Sequence, residues 1–294
     1  MVIPACDEEA VIGECLASLL AQDFTGDVQV LVVANGCADR TAEVAVAYAP
    51  SMSARGFQLA VVETARASKA EALNAGDARA RYRDRLYLDA DTELSVNALS
   101  SIIRAFHRND EVQFCSPRPL PVATTYAARV YARIWSHLPY VCNEVIGAGA
   151  YAVRGEGRRR WDRFPDIIAD DKFARLHFAS SERKVLDDSL FLMYLPVGFS
   201  ELVSVRSRWI RANRELRRRF PALAAGDKRR FAGVPRFVVR HVRLWADMPV
   251  FAAIYACAEI RAALPRSVRR WERAAGARNV RRAAAPIQSA GRAA

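Results

Sequence analysis

Histidine is scarce in this chain, cysteine is scattered, and no apolar run is long. Of the four histidines, His107, His137 and His177 lack metal-ligand spacing and read as structural or exposed side chains. The six cysteines (Cys6, Cys15, Cys37, Cys115, Cys142, Cys257) form no Cys-x-x-Cys pair. That argues against structural zinc and a disulfide framework, and for reduced thiols in a cytosolic setting. No basic segment precedes an apolar one at the N-terminus, so no secretory signal is read there. The apolar run at 248–260 falls short of the roughly 20 residues a membrane span needs. There are no internal repeats. What remains is a globular composition, 52% hydrophobic and 26% charged over 294 residues, enough for a large α/β domain with an extension.

Acidic residues are sparse toward the C-terminus. Residues 201–294 hold 22 Lys and Arg against 6 Asp and Glu, a surplus of +16, which leaves residues 1–200 at −4. An anionic partner for the tail follows. Within it Phe237, Val238, Val239, Val242, Leu244, Trp245, Val250, Phe251, Ile254 and Tyr255 interleave with Arg236, Arg240, His241 and Arg243. Such a stretch suits an anionic membrane surface, and equally suits packing on the preceding domain. Residues 274–294, rich in Ala and Arg, are expected to be poorly ordered.

Along the chain, strand-like and helix-like stretches alternate. Val2-Ile3 opens a strand, and Val11, Ile12, Cys15, Leu16, Leu19 and Leu20 line a helical face. Residues 28–33 form an apolar strand broken by Asn35-Gly36. Thr41 caps a short helix through Val44 and Val46, residues 58–62 form a third strand, and Ser68 caps a helix through Leu73. A fourth strand ends at Asp89; Ser95 opens a helix carrying Leu99, Ile102, Ile103 and Phe106, and a strand spans 112–115. Apolar strands alternating with helices imply a mostly parallel sheet covered on both faces, its strand carboxyl ends on one rim. Beyond it, Ser116-Pro117-Arg118-Pro119 and Pro121 read as a loop, 124–137 as a helix and 172–177 as another.

The stretch Arg85-Leu86-Tyr87-Leu88-Asp89-Ala90-Asp91-Thr92 drives an apolar strand into two carboxylates at the rim where open α/β sheets bind ligands. Asp89 and Asp91 can face one Mg²⁺ or Mn²⁺, because hard cations take carboxylate oxygens together with substrate phosphates. A surface turn with an Asx cap explains the same residues when they stand alone.

Four segments, in order, resemble family 2 glycosyltransferases. Val2-Ile3-Pro4-Ala5-Cys6-Asp7-Glu8-Glu9 is similar to their V-I-P-A-Y-N-E-E opening. Val32-Val33-Ala34-Asn35-Gly36-Cys37-Ala38-Asp39-Arg40-Thr41 resembles V-V-D-D-G-S-x-D-x-T. Lys69-Ala70-Glu71-Ala72-Leu73-Asn74-Ala75-Gly76 matches K-x-x-A-L-N-x-G, and Asp89-Ala90-Asp91 matches D-x-D. The resemblance covers about residues 1–215. It implies a GT-A, Rossmann-like fold, a nucleotide-diphosphate sugar donor, and an inverting transfer with Mg²⁺ or Mn²⁺.

By this resemblance Pro4, Ala5, Cys6 and Glu8 hold the nucleoside, with Asn35 meeting a base edge through its amide. Lys69 neutralises the diphosphate, Asp89 and Ala90 lie at the nucleotide, and Asp91 with Asp89 takes the metal. Gly147, Ala148 and Gly149 lie under the acceptor, where glycine lets backbone approach. Asp171, with its neighbour Asp170, takes the acceptor proton; both also suit a helix N-terminus as plain acidic residues. Arg208-Trp209 resembles the end of the Q-x-x-R-W motif, with Arg208 near the diphosphate, but Val205 replaces the Gln, which argues against processive synthesis.

The expected protein is therefore a single-sugar transferase domain at 1–215 followed by a basic helical extension at 216–294. A UDP-sugar is the favoured donor, and the acceptor a glycan, glycolipid or polyprenyl-linked hydroxyl. Nucleic acid is not expected as a partner. The expected place is the cytoplasm, with peripheral attachment to the inner face of the cell membrane. Two rivals are a sugar nucleotidyltransferase, which would want a Gly-rich basic loop where 4–9 is acidic, and a non-catalytic binder of anionic surfaces.

Overall fold

A computed structural model of the chain describes residues 1–142, 144–227 and 240–264. Eight strands form one curled sheet: β1 (Val2–Ala5), β2 (Val28–Asn35), β3 (Phe57–Thr64), β4 (Arg85–Leu88), β5 (Glu93–Leu94), β6 (Phe114–Val122), β7 (Ala150–Val153) and β8 (Arg183–Tyr194), in the order β3-β2-β1-β4-β7-β6-β8-β5. The mixed α/β architecture expected from the sequence is present. β1 runs parallel to β2 and β4, and β2 to β3, so the carboxyl ends of these four strands share a rim. The far half is mixed: β7 is antiparallel to β4 and β6, and β5 to β8, while β6 and β8 are parallel.

Period-two alternation divides the core. Ile3, Ala5, Leu86 and Leu88 face one layer, with the helix Ile12–Leu20 and the helix Ala98–Arg108. Val2, Tyr87, Tyr151 and Phe114 face the other, with Trp161, Phe164 and Phe173. A third cluster joins the helix Tyr126–Ser136, the helix Gly198–Arg219 and the helix Met248–Ala263 through Tyr131, Trp135, Leu202 and Ile254. Residue 215, the expected domain boundary, falls inside the Gly198–Arg219 helix.

Three local expectations change. Ser95 does not open the helix at Ala98; Asn97 precedes it, and Ser95 instead accepts from Leu190 N through Oγ (2.9 Å), tying β5 to β8. Thr41 is the first helical residue rather than the cap, its hydroxyl accepting from Glu8 N at 2.7 Å. The proline-bearing stretch 116–121 is strand, not loop. Pro117, Pro119 and Pro121 lie two apart, and β7 pairs only with Phe114 and Cys115. Proline is tolerated where its missing N–H faces an unpaired edge, so the intervening residues carry the ladder to β8. Phe237 and residues 274–294 lie outside the described residues. Trp245 is 54% exposed, whereas Phe251 and Tyr255 pack half-buried on the third cluster.

Candidate active site

Lys69 begins the helix Lys69–Arg79, whose N-cap Ser68 accepts from Glu71 N through its hydroxyl (3.3 Å). The motif around it has separable jobs. Leu73 enters the core, Gly76 lies where a Cβ would come within 2.4 Å of Val2, and the Asn74 amide clamps both backbone groups of Phe164. From this anchored helix the Lys69 ammonium reaches Asp89 Oδ1 at 2.7 Å and Asp170 Oδ1 at 3.1 Å.

Asp89 leaves the end of β4 with its N–H donating to the Gly149 carbonyl (2.8 Å). Gly149 has φ +108°, and a Cβ there would stand 2.7 Å from Thr92 Oγ1. Gly147 has φ +72°, and a Cβ there would meet Asp171 Cβ at 3.1 Å. Only glycine suits either position, and the pair lets the 147–149 backbone lie between the two acidic segments.

Asp170 and Asp171 open the helix Asp170–Leu176. Asp170 is 2% exposed and its Oδ2 has no hydrogen-bond partner. Burial pushes its pKa up to about 7, against the pull of Lys69. Burial also raises Asp171, whose Oδ1 accepts from Lys172 N at 2.6 Å. Burial alone would lower Lys69, but Asp170 and Asp89 outweigh it and hold the ammonium above the usual lysine range. The result is a cation locked between carboxylates, beside a carboxylate of raised basicity.

A cavity of about 380 Å³ opens over these groups. Glu8, Lys69, Asp89, Asp91, Gly147, Ala148, Gly149, Asp170, Asp171, Arg208 and Trp209 all line it, so most residues singled out in the sequence converge. Pro4, Ala5, Cys6, Asn35 and Ala90 do not line it. Ala5, Cys6 and Ala90 are buried, and Ala5 and Ala90 belong to the core. Asn35 is 2% exposed, and with its amide oriented to match its neighbours it donates to Ala5 O (2.6 Å) and accepts from Ser68 N (3.2 Å). It joins the ends of β1 and β2 to the Lys69 helix.

The sequence reading missed part of the wall. Lys172 and Arg175 line the cavity and pair with Asp227, at 2.5 and 2.9 Å, and Arg175 also pairs with Glu144 at 2.8 Å. Trp135, Tyr140 and Arg206 line it from the helical side; the Arg208-Trp209 motif was the nearest signal, two residues away. Near the rim, ligand atoms of Asp7, Cys37 and Asp39 lie within 4.8 Å of one another. They are engaged in loop closure: Asp7 Oδ1 accepts from Ala38 N, Cys37 Sγ donates to Ala5 O, and Asp39 Oδ1 accepts from Thr41 N.

A family model described as glycosyl transferase family 2 matches residues 1–155. No curated protein matches the sequence. Among solved structures, Staphylococcus aureus TarS 1-349 in complex with UDP shares 15% identity, with 94% of each chain covered and a TM-score of 0.52. The mannosyltransferase PcManGT from Pyrobaculum calidifontis, in complex with GDP-Man and Mn2+, shares 19% identity over 90% of this chain and 75% of its own, with a TM-score of 0.56. Of a longer S. aureus TarS structure the chain spans only 38%. At these identities the likeness is one of fold. The family match is of another kind, since it takes in more than half the chain and carries Lys69, Asp89, Asp91 and the 147–149 turn with it. The chain belongs to glycosyl transferase family 2 and is a sugar-transferring enzyme.

Proposed function

We propose that the protein is an inverting glycosyltransferase that moves one sugar from a nucleoside-diphosphate sugar to an acceptor hydroxyl. The observation that carries this reading is the joint exposure of Asp171, Asp89 and Asp91 to one cavity, with Asp171 made more basic by burial. In a single displacement the acceptor oxygen forms its bond to the anomeric carbon as the bond to the diphosphate breaks. The acceptor proton goes to Asp171, and the bonding pair leaves with the diphosphate. Gly147 keeps the backbone clear of Asp171, and Lys69 holds Asp89 and Asp170 in place meanwhile.

The donor set at Asp89 and Asp91 fits Mg²⁺ or Mn²⁺: two hard carboxylates, one exposed and one half-buried, to be completed by phosphate oxygens. Such an ion supplies charge neutralisation for the departing diphosphate. UDP or GDP is the nucleotide to try first, since the TarS and PcManGT structures hold these. The decisive measurement is a screen of UDP- and GDP-sugars with Mn²⁺ or Mg²⁺, followed as thermal shift and nucleotide release. Absence of any metal-dependent stabilisation would set the reading aside.

The exposed side chains Val242, Trp245, Ile260 and Leu264, beside Arg240 and Arg243, support an interfacial role for the part after 216. No helix among the described residues is long and apolar enough to cross a membrane. On this reading the chain sits peripherally on an anionic inner membrane face and meets a lipid- or polyprenyl-linked acceptor there.

A further inference from the structure

Arg206 is 7% exposed and lines the cavity from the Gly198–Arg219 helix. Its guanidinium stands 4.2 Å from the Tyr255 ring centroid and 5.3 Å from that of Trp209. Tyr131, Tyr140 and Tyr255 are its charge-relevant neighbours. Arg206 Nε is buried without a hydrogen-bond partner, and the Tyr131 hydroxyl lies on the guanidinium side of the ring, supporting its charge. Other arginines with low exposure have carboxylates: Arg85 and Arg158 share Asp77, Arg175 holds Asp227 and Glu144, and Arg183 lies 3.9 Å from Glu144. Among the described residues no carboxylate pairs with Arg206.

A buried cation without counter-charge is costly, and aromatic faces offset only part of that cost. The phenols do not neutralise it either, since burial pushes Tyr131 up to about 12. A planar guanidinium that lines a cavity without a carboxylate partner is the group best suited to take an oxyanion in a charge-assisted pair. We propose that Arg206 forms a subsite for a phosphoryl or carboxylate group carried by the acceptor. This rests on the glycosyltransferase reading of the cavity.

The donor's diphosphate is the other source of the same chemistry, and the topology separates the two. The carboxylates awaiting a metal–diphosphate lie at the end of β4, beside Lys69. Arg206 instead sits by Tyr131, Tyr255 and Trp209, beside the helical third cluster to which Tyr131 and Tyr255 belong rather than in the layers on either face of the sheet. Trp135, Tyr140 and Trp209 line the same cavity as Arg206, which gives an acceptor ring aromatic faces to stack on while its anionic group meets Arg206.

The test uses the full chain and inorganic phosphate as probe, at constant ionic strength against chloride, with UDP or GDP plus Mn²⁺ as a parallel arm. Wild type should be stabilised saturably by phosphate. Arg206→Met should weaken that response about tenfold or more, the cost of losing a charge-assisted pair, and Arg206→Lys should lose part of it. Nucleotide with Mn²⁺ should stabilise all three equally, and without phosphate Arg206→Met should be at least as stable as wild type. Equal phosphate responses in wild type and Arg206→Met would overturn the proposal. So would loss of nucleotide–Mn²⁺ binding in Arg206→Met, which assigns Arg206 to the donor. If Arg206→Met is unfolded, Arg206→Lys decides: an unchanged phosphate response there makes Arg206 a structural clamp. Wild type that responds to phosphate but to neither nucleotide would leave Arg206 its oxyanion and remove the transferase reading instead.

Discussion

Replacing Lys69 with Met tests the electrostatics at the centre of the site. Lys69 is the ammonium partner of Asp170, whose side chain is 2% exposed, so the variant strands a buried carboxylate. Stranding one member of a buried pair costs about 3–5 kcal/mol when the survivor stays charged. The cost here depends on pH. In the wild type the folded pKa of Asp170 is raised to about 7 by burial, with Lys69 opposing. Stability linked to this proton is present below the unfolded carboxylate value and is lost as pH rises through about 7. Without Lys69 the folded pKa rises further, so the native state keeps its proton while the unfolded chain sheds one. Between pH 7 and 8.5 the variant should then lose about 1.4 kcal/mol per pH unit relative to wild type, roughly 2 kcal/mol across that window. Urea unfolding at pH 6, 7 and 8.5 reads this directly. Adding Asp170→Asn should remove most of the slope, since the group that titrates is gone. A stability difference between wild type and Lys69→Met that is flat from pH 6 to 8.5 would refute the reasoning.

Asp171→Asn keeps shape and removes proton acceptance, so transfer should fall roughly a hundredfold or more with donor binding intact; a loss confined to donor affinity in calorimetry would reassign the base. The wild-type rate should fall on acidification at a pH above the ordinary carboxylate range, because burial raises Asp171 and the base must be ionised; a rate flat down to pH 4 would contradict it. Asp91→Asn should abolish Mn²⁺-dependent nucleotide binding with no change in melting temperature, Asp91 being exposed; metal-dependent binding equal to wild type would misplace the ion. Gly149→Ala forces a Cβ to 2.7 Å from Thr92 Oγ1 at φ +108° and should destabilise by about 1–3 kcal/mol; an unchanged unfolding midpoint would mean the turn yields. Anionic vesicles should co-sediment the protein at low salt and release it at high salt, neutral vesicles not at all; equal binding to both would remove the electrostatic reading.

The first four strands were legible because buried parallel strands are written as apolar runs, as in 30–34, and because Ser68 is a cap of the commonest chemistry. β8 was not, since half of its length faces away from the core and carries Asp187 and Asp188, which hide its period. β6 was obscured by prolines that a one-sided strand tolerates. The acidic side of the site could be read from Asp89, Asp91 and Asp171, whose chemistry is local to short motifs. The partners of Asn35 could not be read, because its amide bonds to Ala5 and Ser68, from segments 30 and 33 residues away. Arg206 escaped for a related reason: in an arginine-rich stretch nothing but tertiary structure shows which side chain is buried against a cavity.

The alternate prolines of β6 have a consequence for the molecule in crowded solution. Where β7 turns away after Cys115, a strand edge is left that no other described strand covers. An edge with regular amide donors is a template for another chain's strand, and the first step toward fibrillar aggregates. Pro117, Pro119 and Pro121 remove the successive N–H donors of that edge, so an incoming strand finds carbonyls without matching N–H groups. Restoring donors with Pro119→Val and Pro121→Thr would leave the native ladder to β8 unchanged and open a sticky seam.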